Sequence, residues 1–167
     1  MSRISIDTLV KAIKAVQTMN SQQKEALVDE LFRTQPTLLG SCLVLPRLGV
    51  SPEKMELPLN LLFICFQAMK QSGLPWPCIS EGELERQADR YAATLKFSEG
   101  MKPALVKQAQ QQYIVSHPEP ELLAYVSNET SQWLSHVVSE DSDRFVLMAT
   151  MNLVNCIAYV PLQLMEK

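Results

Sequence analysis

The stretch from Ser51 to Gly73, SPEKMELPLNLLFICFQAMKQSG, decides most of what this chain can fold into. From Leu57 to Met69 it is apolar almost all the way round, interrupted by Pro58, Asn60 and Gln67. A helix that is apolar on every side is stable in water only where every face meets another element, in the middle of a bundle. Ser51 followed by Pro52 reads as its start, because a serine hydroxyl can accept from an orphan N–H and proline at the first position has no N–H to lose. Glu53 and Glu56 suit the positive end of the helix dipole, and Gly73, Pro75 and Pro77 stop the run. Pro58 lies far enough in to predict a kink or a restart. The unbroken apolar stretch, Leu61 to Phe66, is far shorter than the ~20 residues a bilayer span needs, so no membrane span is expected from it.

A second stretch of the same character, Phe145 to Val160, predicts another buried helix that Pro161 ends. Before it, Ser139 to Asp143 (SEDSD) offers several caps and first-turn acids. The expected architecture is therefore all-α: a compact, single-domain bundle of about seven or eight helices, with two nearly wholly apolar central helices over about 52–72 and 143–160. The remaining elements read as amphipathic. Ile6, Leu9, Val10, Ile13 and Val16 recur at helical spacing, as do Leu27, Val28, Leu31 and Phe32. Asn20 with Gln23, and Ser80 with Glu83, are capping-box pairs that open helices. Thr37 to Leu45 reads as a short buried helix packing back on its predecessor. Leu84, Ala88, Tyr91 and Leu95 form the stripe of the helix that Ser80 opens. Lys102 to Val115 carries Leu105, Val106, Ala109 and Tyr113 opposite a polar Gln108–Gln112 face. After His117-Pro118-Glu119-Pro120, a long helix places Leu122, Val126, Trp133 and Val137 at core spacing. Only five glycines, and no long Val/Ile/Thr alternation, argue against sheet. The order of parts in residues 21–72 resembles that in 102–160, which raises the possibility of an internal duplication.

Composition enters where function is concerned. The chain of 167 residues has 47% hydrophobic and 20% charged residues, ordinary globular values. A formal charge of −3 gives no electrostatic reason to bind nucleic acid. MSRISIDTL has no continuous apolar core, so no signal peptide is expected, and a cytoplasmic location follows. Cys42, Cys65, Cys78 and Cys156 are widely spaced and lack metal-binding intervals, which suits reduced thiols.

Motifs for catalysis are missing from the linear sequence. There is no Gly-rich phosphate loop, no nucleophile elbow and no Glu-x-x-His pair. No cofactor is expected. On a continuous helix Glu129, His136 and Glu140 would share a face, the weak beginnings of a metal site against the simpler reading of a solvent-facing ion pair. The partner-binding candidate is Trp76, a large aromatic fenced by Pro75 and Pro77, the kind of rigid group that anchors interfaces. The competing reading makes it a lid folded back on the core. The expected function is a non-enzymatic protein-interaction or regulatory module, binding a protein partner or itself as a homodimer. Two alternatives stand beside it: a carrier or sensor with an apolar small ligand in a pocket between helices, and an enzyme whose site is assembled from residues distant in sequence.

Overall fold

The computed structural model of the chain describes residues 2–165, and the side chains of residues 2–161. Among the described residues there are eight α-helices, two 3₁₀ turns and no strand. The helices are α1 (Ile6–Gln17), α2 (Ser21–Thr34), α3 (Pro36–Leu43), α4 (Glu56–Gln71), α5 (Glu81–Ser98), α6 (Pro103–Ser116), α7 (Pro120–His136) and α8 (Asp143–Met165). The fold is a compact all-α one, as the apolar stretches require.

The two apolar helices sit where their composition sends them. α4 buries Leu61, Leu62, Ile64, Cys65, Phe66, Ala68 and Met69, residues on all of its sides. α8 is buried without a break from Asn152 to Ala158. The two pack on one another, with α1 lying along α4 and α5 along α8. Each fully buried Leu or Ile there contributes roughly 1.5–3 kcal/mol, so this pair anchors the core. α8 is also the one helix among the described residues long and apolar enough to cross a membrane, over Asp143–Pro161, and 61% of that stretch is buried within the protein.

The start of the central segment differs from expectation. Pro52–Met55 is a 3₁₀ turn, the Ser51 hydroxyl makes no capping bond, and α4 begins at Glu56. Pro58 consequently falls in the first turn, where its missing N–H would have lacked an intrahelical partner anyway. The restart thus comes two residues before the proline. At the far end of the chain, α8 runs through Pro161 rather than stopping at it. One lost hydrogen bond near a helix end is tolerated when the ring is buried, as Pro161 is.

Local signals fared well. Asn20 with Gln23 and Ser80 with Glu83 both form complete capping boxes. On α1 the buried face is rotated from the predicted stripe: Leu9, Ala12 and Val16 are buried, whereas Ile6 and Val10 are exposed. The small Ala12 is fully buried on that face, a position a count of large apolar residues overlooks. Likewise α7 buries Leu122, Leu123, Val126 and Thr130, while Trp133 packs half-buried in a smaller second cluster and Val137 lies beyond the helix end.

Candidate functional site

α5, α6 and α7 do not close over α8. They leave an open cleft of 1260 Å³, larger than the ~300–1,000 Å³ usual for small-molecule pockets. Its cause is visible in α6, which contains no fully buried residue although it is 14 residues long. α6 packs chiefly on α7. Val106, Ala109 and Ile114 from α6, Leu123 from α7, and Leu147 and Met151 from α8 supply apolar lining. Around the cleft stand Leu95, Phe97, Val115 and Leu134, all substantially exposed, Val115 to 80%. Arg90 is the one charged residue that lines it among the described residues.

One end of the cleft is polar. The Arg90 guanidinium lies 3.9 Å from the centroid of the Tyr159 ring. Tyr159 and Tyr113 both meet the His117 imidazole edge-on, at 5.3 and 5.7 Å between centroids. His117 ends α6, its backbone N–H bonding Ile114 O, and its ring is buried. The Glu119 backbone N–H donates to His117 Nδ1 at 3.1 Å. Nδ1 must therefore be the acceptor, so Nε2 carries the proton and donates to Asn155 Oδ1 at 3.0 Å. Burial lowers the His117 pKa below 6.5 against the opposing hydrogen bonds to Asn155 and Glu119. The ring is neutral with both nitrogens engaged, which leaves it no free lone pair for general-base chemistry. Burial raises the Tyr113 hydroxyl, and nearby Asn155 and Arg90 pull it part of the way back. Asn155 Nδ2 is fully buried and outside hydrogen-bond geometry with any partner.

Behind this end a second polar knot ties the chain together. Glu119, fully buried, accepts from the backbone N–H of Arg3 at 2.9 Å and of Ile4 at 3.2 Å. The Arg3 side chain donates to Ala158 O at 2.8 Å. At the opposite end of α8, Lys54 Nζ sits 2.7 Å from both Asp143 Oδ1 and Val138 O, with Glu140 at 3.6 Å. Burial alone would raise the Asp143 pKa, but Lys54 and the Glu140 N–H outweigh it and hold the carboxyl below its ordinary value. Lys54 is raised, first by that same hydrogen bond.

The three residues of the metal reading are not brought together. α7 ends at His136, so Glu140 lies past the helix and pairs with Lys54 instead of joining Glu129 and His136. His136 Nδ1 turns back to Gln132 O and Ser135 Oγ. Among the described residues no group of three potential metal ligands forms. Trp76 is half-buried against the core, and its Nε1–H is shared by Met69 O at 2.8 Å and Ser72 Oγ at 3.0 Å near the end of α4. Arg3 stacks on its ring at 5.3 Å. Pro77 O accepts from the buried Gln35 amide at 2.7 Å, and Gln35 Oε1 accepts from Ile79 N–H, so the loop is strapped down on both sides of Cys78. Of the three candidates only Pro75 is exposed. Cys42, Cys65 and Cys156 are buried, and burial pushes each thiol up to about 12, which makes them inert; Cys78 is exposed. The cleft itself has one sequence signal, the Gln108–Gln112 run, whose Gln110, Gln111 and Gln112 line it. No family model matches the chain, and neither a curated protein nor a solved structure matches it.

Proposed function

We propose that the chain is a non-enzymatic binding module whose ligand is an apolar or amphipathic molecule lodged in the cleft between α5, α6, α7 and α8. The observation that carries this reading is α6, a complete helix with no fully buried residue standing over an apolar-lined gap of 1260 Å³. Apolar surface left uncovered on that scale marks a binding site far more often than an accident of packing. The neutral, doubly engaged His117 and the inert buried thiols favour binding over catalysis. The test is native mass spectrometry with and without a bulky substitution in the cleft, Ala109→Trp, alongside titration with an apolar fluorescent dye. The expected outcome is dye binding, or a co-purified adduct lost on denaturation, that Ala109→Trp reduces. Dye binding of equal strength in both proteins would move the site elsewhere.

A second reading is favoured by Leu95, Phe97, Val115 and Leu134, whose exposure at the cleft's margin suits a protein partner, including a second copy of the chain. Sedimentation of wild type and Phe97→Ser distinguishes it: a dimer that the substitution dissolves supports homodimer formation through this margin.

A further inference from the structure

Among the described residues the cleft has one charge on its lining, and it is positive. Arg90 is exposed, and among the described residues no carboxylate lies within ion-pair distance of it. Its guanidinium carbon lies over the Tyr159 ring, 3.9 Å from the centroid. A guanidinium meets a carboxylate through its N–H groups, with two parallel hydrogen bonds. Tyr113, which neighbours Arg90, also lines the cleft. Besides uncharged polar groups such as Gln110 and Thr130, the lining includes the apolar Val106, Ala109, Leu123 and Leu147. One cation and these apolar side chains on one lining suit a molecule with an anionic head and an apolar tail.

Resting on the cleft reading above, the geometry points to a single-chain anionic amphiphile, a long-chain carboxylate, as the ligand class, with its head on the Arg90 guanidinium and its tail between α6 and α8. Arg90 thereby sets head-group specificity, while the apolar wall sets affinity for the tail. Isothermal titration with dodecanoate, dodecanol and dodecyltrimethylammonium tests this, in wild type, Arg90→Gln and Ala109→Trp. In wild type, dodecanoate binds about tenfold or more tighter than dodecanol, the margin of a charge-assisted hydrogen-bonded pair, and the cationic amphiphile binds weakest. Arg90→Gln, an exposed position whose change leaves the helical circular dichroism intact, erases the dodecanoate margin and leaves dodecanol unaltered. Equal affinity for dodecanoate and dodecanol in wild type, or a margin that survives Arg90→Gln, overturns the anionic head while sparing the cleft. Failure of all three amphiphiles to bind, or binding indifferent to Ala109→Trp, overturns the cleft reading and this proposal with it.

Discussion

α1 and α6 are helices of similar size, 12 and 14 residues, each with apolar positions at helical spacing. α1 lies flush along α4 and buries Leu9, Ala12 and Val16; α6 buries nothing completely. The difference lies less in the number of large apolar residues than in what faces them. α1 has a small residue, Ala12, fully buried on its inner face, and its charged residues Asp7, Lys11 and Lys14 are exposed. α6 carries three consecutive glutamines, Gln110 to Gln112, all of which line the cleft. A polar amide cannot be pressed into a core without a partner, so the helix stays off α8. One region of the molecule has spent its apolar surface on itself, and the other still has surface to offer.

That contrast can be broken by substitution. Leu62→Ala, at a fully buried position on α4, is expected to cost about 2–5 kcal/mol in urea unfolding. Val106→Ala in the cleft wall is expected to cost less than about 1 kcal/mol. Similar losses at the two positions would mean that the cleft is as closed as the core. Adding volume sharpens the same point. Ala12→Leu is expected to lose about 1–3 kcal/mol through overpacking, whereas Ala109→Leu, with open space before it, should stay within about 0.5 kcal/mol of wild type. Trp76→Ala sits between these regions, and its loss of packing and of the Met69 O contact is expected to lower stability by about 1–3 kcal/mol. Unchanged stability with weakened self-association would return Trp76 to the role of an interface anchor.

The smallest expected effect is the dependence on pH. His117 is neutral in the fold, and its pKa there is below the 6.5 it has when unfolded. The unfolded chain therefore takes up a proton first, so the stability from this site is complete above pH 6.5 and falls as pH drops from there toward the folded value. Thermal melts from pH ~7.5 to ~5 should show a decline that His117→Gln flattens. The junction of α6 and α7 should loosen first, with α6 amides exchanging before those of α4. A slope unchanged by His117→Gln would place the titrating group elsewhere.

Much of the architecture was legible because it depends on local chemistry and on apolar content. A capping box reports a helix start whatever surrounds it, and a segment apolar on every side has one place to go, as α4 and α8 demonstrate. Less legible were features that depend on two segments meeting. The metal idea treated Glu129, His136 and Glu140 as one helix, and the break after His136 dissolves it. Trp76 is conspicuous in sequence for its proline neighbours, yet Gln35, 41 residues earlier, is part of what decides that its loop is strapped down. Arg90 looked like one basic residue among several on α5, since only the folded chain sets it on Tyr159 at the end of an apolar cleft. The resemblance in order between residues 21–72 and 102–160 coexists with unequal parts: α3 has 8 residues and α7 has 17.

The buried Glu119 carboxylate, which holds the backbone N–H groups of Arg3 and Ile4 while Arg3 reaches Ala158 O, has a consequence for how the protein is made. These contacts join residues 116, 115 and 155 positions apart. A ribosome delivers Arg3 ahead of Ala158 by 155 residues, so the segment that contains Arg3 emerges long before the groups that will hold it. α1 can settle on α4 once that helix has appeared, but the last stitch waits for α8. Contacts that span so many residues carry a large loop-closure cost and form late, so the segment around Arg3 is among the last parts of this domain to be secured.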